Sequence, residues 1–180
     1  MSTLTTAIFP RPVAGDCPEY YFTYIYQVPD VDILTLLHTQ RDWFGDWIES
    51  LTEDQLQHRY APGKWSLSEM LGHVNDTERV FAYRMMAISR NEQKPLPGFE
   101  QDDYVRDSNY FGLPAEDLAN EWKAIRSSSI YLARNMNAEM AFRQGIANEK
   151  QFRAMAFPHI MAGHVLHHYR IAQERYLRTS

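Results

Sequence analysis

Three histidines fall within residues 162–171, Ala-Gly-His-Val-Leu-His-His-Tyr-Arg-Ile, of a chain that has seven in all. Imidazole is a common ligand of divalent transition metals, and its charge changes near neutral pH. A helix advances about 100° per residue, so residues four apart share a face. With Ile160 as origin, Met161, His164, His168, Ile171 and Ala172 gather within about a third of the circumference. His164 and His168 lie in the middle of that apolar stripe, one turn apart, while His167 falls at its edge. Two neutral imidazoles so placed can hold one ion from successive turns.

His73 flanks the stripe of an earlier helix, beside Met70, Thr77 and Phe81, and can turn inward with a third nitrogen. Other readings stay open on spacing alone. His73 can be a hydrogen-bonded core residue, and the late pair can be a buried imidazole pair or a partner-facing seam. His38, His58 and His159 carry no pattern and are expected to be partly exposed. His167 is a supporting donor, a pocket residue or surface. Asp76 can orient an imidazole from behind, as ligating histidines generally require, or be plain surface charge. The nearby Glu78 has Arg79, Arg84 and Arg175 as candidate partners. Arg175 falls by angle on the apolar stripe beyond His168, either snorkelling at the bundle end or offering positive charge to an anionic substrate.

Several chemistries are excluded. Val165 stands where an H-E-x-x-H metalloprotease needs its glutamate base. No histidine has Glu three residues before it, which removes a ferritin-like di-iron site. No G-x-S-x-G elbow is present for a serine nucleophile. Cys17 is the single cysteine, so there is no internal disulfide or thiolate metal site, and it is expected to be inert. The net charge of -5, with no Lys/Arg block, gives no electrostatic footprint for nucleic acid or an anionic membrane. No apolar run has the length of a signal peptide core or a membrane span, which makes a cytoplasmic location the expectation.

Four amphipathic helices must position these residues. Asp30 or Asp32 can cap the first, whose stripe carries Leu37, Phe44, Ile48 and Leu51. Ser66-Leu67-Ser68-Glu69 is a capping box that opens the second, the one bearing His73. The third begins near Pro114. The fourth starts between residues 150 and 158 and runs to about Leu177, with Pro158 either starting it or kinking it. Residues 20–28, rich in tyrosine, read as a strap in which a short strand is the lesser alternative. The fold class is therefore all-α, an antiparallel four-helix bundle with a long connection between helices two and three. That connection contains Pro95, Pro97, Gly98 and a candidate short helix near 101–107. Residues 1–29 are expected to be an N-terminal extension packed on a bundle domain spanning 30–180.

Three blocks, GKWSLSEMLGHVNDTERVFAYRM, LPGFEQDDYV and AFPHIMAGHVLHHYRIAQERYL, resemble the DinB-like family of small four-helix bundle proteins over about residues 30–178. The resemblance implies one divalent metal, such as zinc, nickel or iron, held by His73, His164 and His168. It implies that Pro-Gly-Phe-Glu-Gln-Asp-Asp-Tyr flanks the site, although the family more often has Asp where Glu100 stands. It also implies a homodimer and a small-molecule substrate. Two activities are implied: metal-assisted hydrolysis, and transfer or isomerisation with a low-molecular-weight thiol cosubstrate. A non-catalytic metal-binding bundle is the third reading.

Overall fold

The computed structural model describes residues 9–177; the ends of the expected extension and of the expected bundle domain, 1–8 and 178–180, lie outside it. Following a short 3₁₀ turn at Glu19–Tyr21, the helices are α1 (Phe22–Ile25), α2 (Ile33–Glu49), α3 (Glu53–Gln57), α4 (Leu67–Ser89), α5 (Gln101–Arg106), α6 (Ala115–Arg134), α7 (Ala138–Phe142) and α8 (Phe157–Ile171). Between α7 and α8, strands β1 (Gln144–Ala147) and β2 (Lys150–Arg153) form a hairpin. α8 continues as a π-helical turn over Ala172–Tyr176.

The local signals explain the helix starts. Asp32 accepts from the Thr35 amide at 2.8 Å and caps α2. Both halves of the Ser66/Glu69 capping box are formed at α4, and a second box, Thr52/Gln55, opens α3. Pro158 sits in the first turn of α8 and starts the helix rather than kinking it.

α2, α4, α6 and α8 make a four-helix bundle. Each long helix packs on two others: α2 on α6 and α8, α4 on α6 and α8. Contacts give their directions. Gln40 meets Arg126 while the later Asp46 meets the earlier Lys123, so α2 and α6 run antiparallel. His73 meets His168 while Phe81 meets Phe157, so α4 and α8 do too. α2 and α8 run the same way, as Gln40 meets Ala162 and Trp47 meets Tyr169. α4 and α6 also run together, as Asn75 and Glu78 meet Glu121 and Arg126 in order. The antiparallel expectation therefore holds for two of the four contacts. Consecutive long helices α2 and α4 face each other diagonally, which the chain's long connections allow.

Two apolar clusters fill the bundle. One gathers Ile25, Leu37, Met85, Phe152, Phe157 and Ile160; the other gathers Phe44, Ile48, Leu71, Trp122 and Val165. Between them in sequence, on every long helix, lies a buried polar position: Gln40, Asn75 with Thr77 and Glu78, Arg126 and His164. The core is thus split by a polar layer, with His164 inside it and His73 and His168 at its border with the second cluster.

The fourth helix opens at Phe157, inside the expected 150–158 window, because residues 150–153 are strand. The tyrosine-rich stretch is the expected strap, one 3₁₀ turn and one α turn, and the short-strand alternative falls. Its Tyr24, Ile25 and Val28 are buried in the first apolar cluster.

Candidate metal centre

α4 supplies His73 and α8 supplies His164 and His168. One ring nitrogen from each lies within 4.8 Å of the others, and this is the only group of three or more metal-ligating residues so arranged among the described residues. The His164 and His168 Nε2 atoms face each other at 3.1 Å. Tetrahedral coordination at the usual zinc–nitrogen length separates two ligand nitrogens by about 3.3 Å, so the pair is spaced as a metal would hold it. Ring centroids lie 4.4 Å apart within the pair, and 5.3 and 5.0 Å from His73.

His73 and His164 are 4% exposed; His168 keeps more exposure, but its Nδ1 is buried without a hydrogen-bond partner. Facing Nε2 atoms can share only one proton, so whichever tautomer His168 takes, its Nδ1 is left unmatched. Burial, reinforced by the neighbouring imidazoles, holds His164 and His168 well below the usual histidine range. Burial, with a smaller contribution from His167, pushes His73 down to about 4. All three are neutral at pH 7, the form that donates to a metal. A buried, neutral, under-bonded set of nitrogens fits a divalent ion better than it fits itself.

The surroundings were only partly legible. Thr77 Oγ1 lies 3.4 Å from His73 Nδ1 and leaves Nε2 free; its place one turn after His73 was the available signal. Trp65 packs on the His73 ring at 5.0 Å, and Tyr24 and Phe81 set their rings against His164 at 5.4 and 5.9 Å. A cavity of about 100 Å³ opens beside His73 and His164, and Phe99 and Gln101 reach it from the long connection.

The other predicted positions fall elsewhere. Asp76 accepts from the Tyr110 hydroxyl at 2.8 Å and from Arg79 at 3.1 Å, and orients no imidazole. His167 is half-buried against Tyr24 and the His168 ring, outside the group of three. Arg175 is exposed and stacks over Tyr60, because the π turn adds a residue per turn and the α-helical angle count fails beyond Ile171. Glu78 pairs with none of the three candidates but with Arg126 on α6, at 3.0 Å. His159 is buried rather than partly exposed. Cys17 is buried, and burial beside Asp16 pushes its thiol up to about 11, which leaves it protonated and unreactive.

The fold and the site define a class. The model of the DinB superfamily matches residues 36–172, and the chain belongs to that superfamily. A protein of Oceanobacillus iheyensis named "Putative metal-dependent hydrolase OB0413" is 22% identical over 108 residues, covering 59% of this chain and 61% of that protein. The alignment thus spans less than two thirds of the relative's length. YfiT from Bacillus subtilis, described as "a probable metal-dependent hydrolase with an unusual four-helix bundle topology", superposes with a TM-score of 0.66 at 13% identity. That match covers 92% of this chain and 90% of YfiT, and it shows a shared fold.

Proposed function

We propose that the chain binds one divalent transition metal, zinc, nickel or iron, through His73, His164 and His168, and hydrolyses a small substrate there. The observation that carries this reading is the buried group of neutral imidazoles, short of hydrogen bonds, bordering a cavity. Both named relatives are described as metal-dependent hydrolases, which supports the same reading. Structural metal sites are closed by four protein ligands, whereas catalytic ones keep a position open. No fourth His, Cys, Asp or Glu joins the group among the described residues.

A divalent ion there would act as a Lewis acid and bring the pKa of a coordinated water toward neutrality. The protein's own contribution is positioning. Thr77 fixes the His73 ring, Trp65 and Phe81 keep water from the ring faces, and neutral ligands leave the ion's charge undiminished for the substrate.

Thiol transfer is the second reading, favoured by a polar cleft of about 530 Å³ that shares Trp65 with the site and carries Lys64 and Arg106. An anionic thiol cosubstrate would meet Lys64 in such a cleft, but Asp102 also lines it and Arg106 is already paired with Asp103 and Asp107, which ranks this reading second.

Metal analysis of tag-free protein tests the centre. Wild type is expected to carry about one ion per chain and His164→Ala almost none; equal trace metal in both removes the proposal. A panel of small esters and amides, run with and without bacillithiol-type thiols and electrophiles, then separates hydrolysis from transfer.

A further inference from the structure

The cavity beside the histidines has a wall that no other part of the site explains. It is built by the strap before residue 36, where the superfamily match begins. Tyr20, Tyr21 and Tyr24 line the cavity on that side. The Tyr20 and Tyr24 hydroxyls lie 2.8 Å apart, and the Tyr24 ring stands edge-on to both His164 and His167.

The strap is seated there by dedicated residues. Arg11 donates from Nη2 to the carbonyl oxygens of Ile25 and Val28, at 2.8 and 2.7 Å, closing the end of α1. Gly163, next to His164, lets the strap reach α8. A Cβ at that position would lie 2.3 Å from the Tyr24 carbonyl oxygen and 2.9 Å from its Cβ.

Among the described residues, the lining contains no Asp, Glu, Lys or Arg. Besides the imidazoles, its polar groups are the three tyrosine hydroxyls, Thr77 and Gln101, and Phe81 and Phe99 supply the apolar surface. A charged group at the end of the substrate away from the metal would be desolvated with no charged side chain in the lining to meet it. Arg84 stands against Tyr21 and Phe99 outside the lining and is engaged by the Pro97 carbonyl. A pair of hydroxyls uses one proton between them and keeps the other to donate.

We propose that the strap is the selecting wall of the histidine site, and that the site takes a small uncharged molecule. One oxygen of that molecule accepts from the Tyr20–Tyr24 hydroxyl pair, and a short apolar body packs on Tyr21, Phe81 and Phe99. This rests on the metal-site reading above. The histidines then supply the chemistry, and the strap supplies selection.

The test uses cobalt(II)-loaded protein, whose visible spectrum reports ligands added to the metal. Two probes that reach the metal through the same hydroxamate head are titrated: butanohydroxamic acid, whose tail is uncharged, and succinic monohydroxamate, whose tail ends in a carboxylate. Wild type is expected to bind the uncharged probe at least tenfold more tightly than the charged one. Tyr20→Phe/Tyr24→Phe is expected to weaken the uncharged probe about tenfold, with cobalt affinity and the probe-free spectrum unchanged. Tyr20→Phe alone, at an exposed position that cannot endanger the core, is expected to give a loss of about threefold. Equal affinity in wild type and both variants, or a charged probe that binds as tightly as the uncharged one, overturns the proposal. Failure of wild type to hold cobalt is a different result: it removes the metal-site reading, and this inference with it.

Discussion

On α4, His73 and Glu78 stand about a turn and a half apart, and both are buried, yet their surroundings resolve that burial in opposite ways. Glu78 sets both carboxylate oxygens on the Arg126 guanidinium, at 3.0 and 3.1 Å. Arg126 donates to Gln40 Oε1 and lies 4.4 Å over the Trp122 ring, and Gln40 donates to the Ala162 carbonyl. That cluster joins all four long helices, and each charge has its opposite against it, although Glu78 Oε1 and Arg126 Nε meet as an ion pair and not in an aligned hydrogen bond. The histidine cluster has a single hydrogen bond between rings, a long contact to Thr77, and the unmatched Nδ1 of His168. A buried polar group with no partner destabilises the fold. The first cluster is therefore read as architecture and the second as a site that its ligand completes.

The largest effect is expected from breaking the paired cluster. Arg126→Met leaves the Glu78 carboxylate buried without a counter-charge and should cost about 3–5 kcal/mol in urea unfolding. Glu78→Leu/Arg126→Met should recover much of that loss, because it removes both charges. In metal-free protein His164→Ala should cost less than Arg126→Met. The reverse order would mean that the histidines, not the ion pair, hold the layer together.

Acid should act on the unpaired cluster next. An unfolded imidazole titrates near 6.5, whereas His73 and His159 in the fold are held down to about 4 by burial first of all. Between those values the unfolded chain binds protons that the native chain refuses, so metal-free stability falls as pH drops from 6.5 toward 4. At pH 5 the loss is on the order of 2 kcal/mol per histidine, with His164 and His168 adding to it in the same direction. Urea midpoints at pH 7 and 5 measure it. Equal midpoints would show that these imidazoles are not buried neutral.

How much of this was legible depends on the range of each interaction. The helix caps were readable because a cap is made by residues three apart. The inward pair His164/His168 was readable because a regular helix repeats its faces. That reading failed at Arg175, where the helix loosens into a π turn. The Glu78–Arg126 pair was not readable: the partner stands on another helix, while Arg79 and Arg84 are far closer in sequence. The hairpin was hidden by its four-residue strands, one carrying a glycine and the other mostly polar, and by its turn, where Asn148 and Glu149 both take positive φ, at 48° and 60°, without glycine. Gly163 could be seen in sequence, but the strap backbone that requires it could not.

That glycine gives the third prediction. Gly163→Ala places a methyl group against the Tyr24 carbonyl oxygen, which is backbone and cannot swing aside. Overpacking of this kind should cost about 1–3 kcal/mol. The strain should also lift the strap and enlarge the cavity, so butanohydroxamic acid binding to the cobalt protein should weaken more than cobalt binding itself. Loss of cobalt in step with loss of stability would mean that the strap supports the ligands rather than selecting the substrate.

The smallest effect is expected at Asp76, the acidic residue that sequence position put forward to orient an imidazole. Its carboxylate is held by the Tyr110 hydroxyl and by Arg79, at the partly exposed edge of α4, and Arg79 keeps Glu121 as a second partner at 2.6 Å. In Asp76→Asn the side-chain oxygen can still accept from Tyr110, and the lost ion pair is one of the exposed kind worth less than about 1 kcal/mol. Stability should change by no more than that, and zinc affinity should not change. Thr77→Val, which removes the hydroxyl near His73 Nδ1 while keeping the shape, should instead weaken zinc binding about tenfold or more. If competition with a chromophoric chelator ranked the two the other way, Asp76 would be reaching His73 in the metal-bound protein. Only the Thr77 contact lies inside the under-bonded cluster, so affinity loss there with none at Asp76 locates the metal's support within the polar layer.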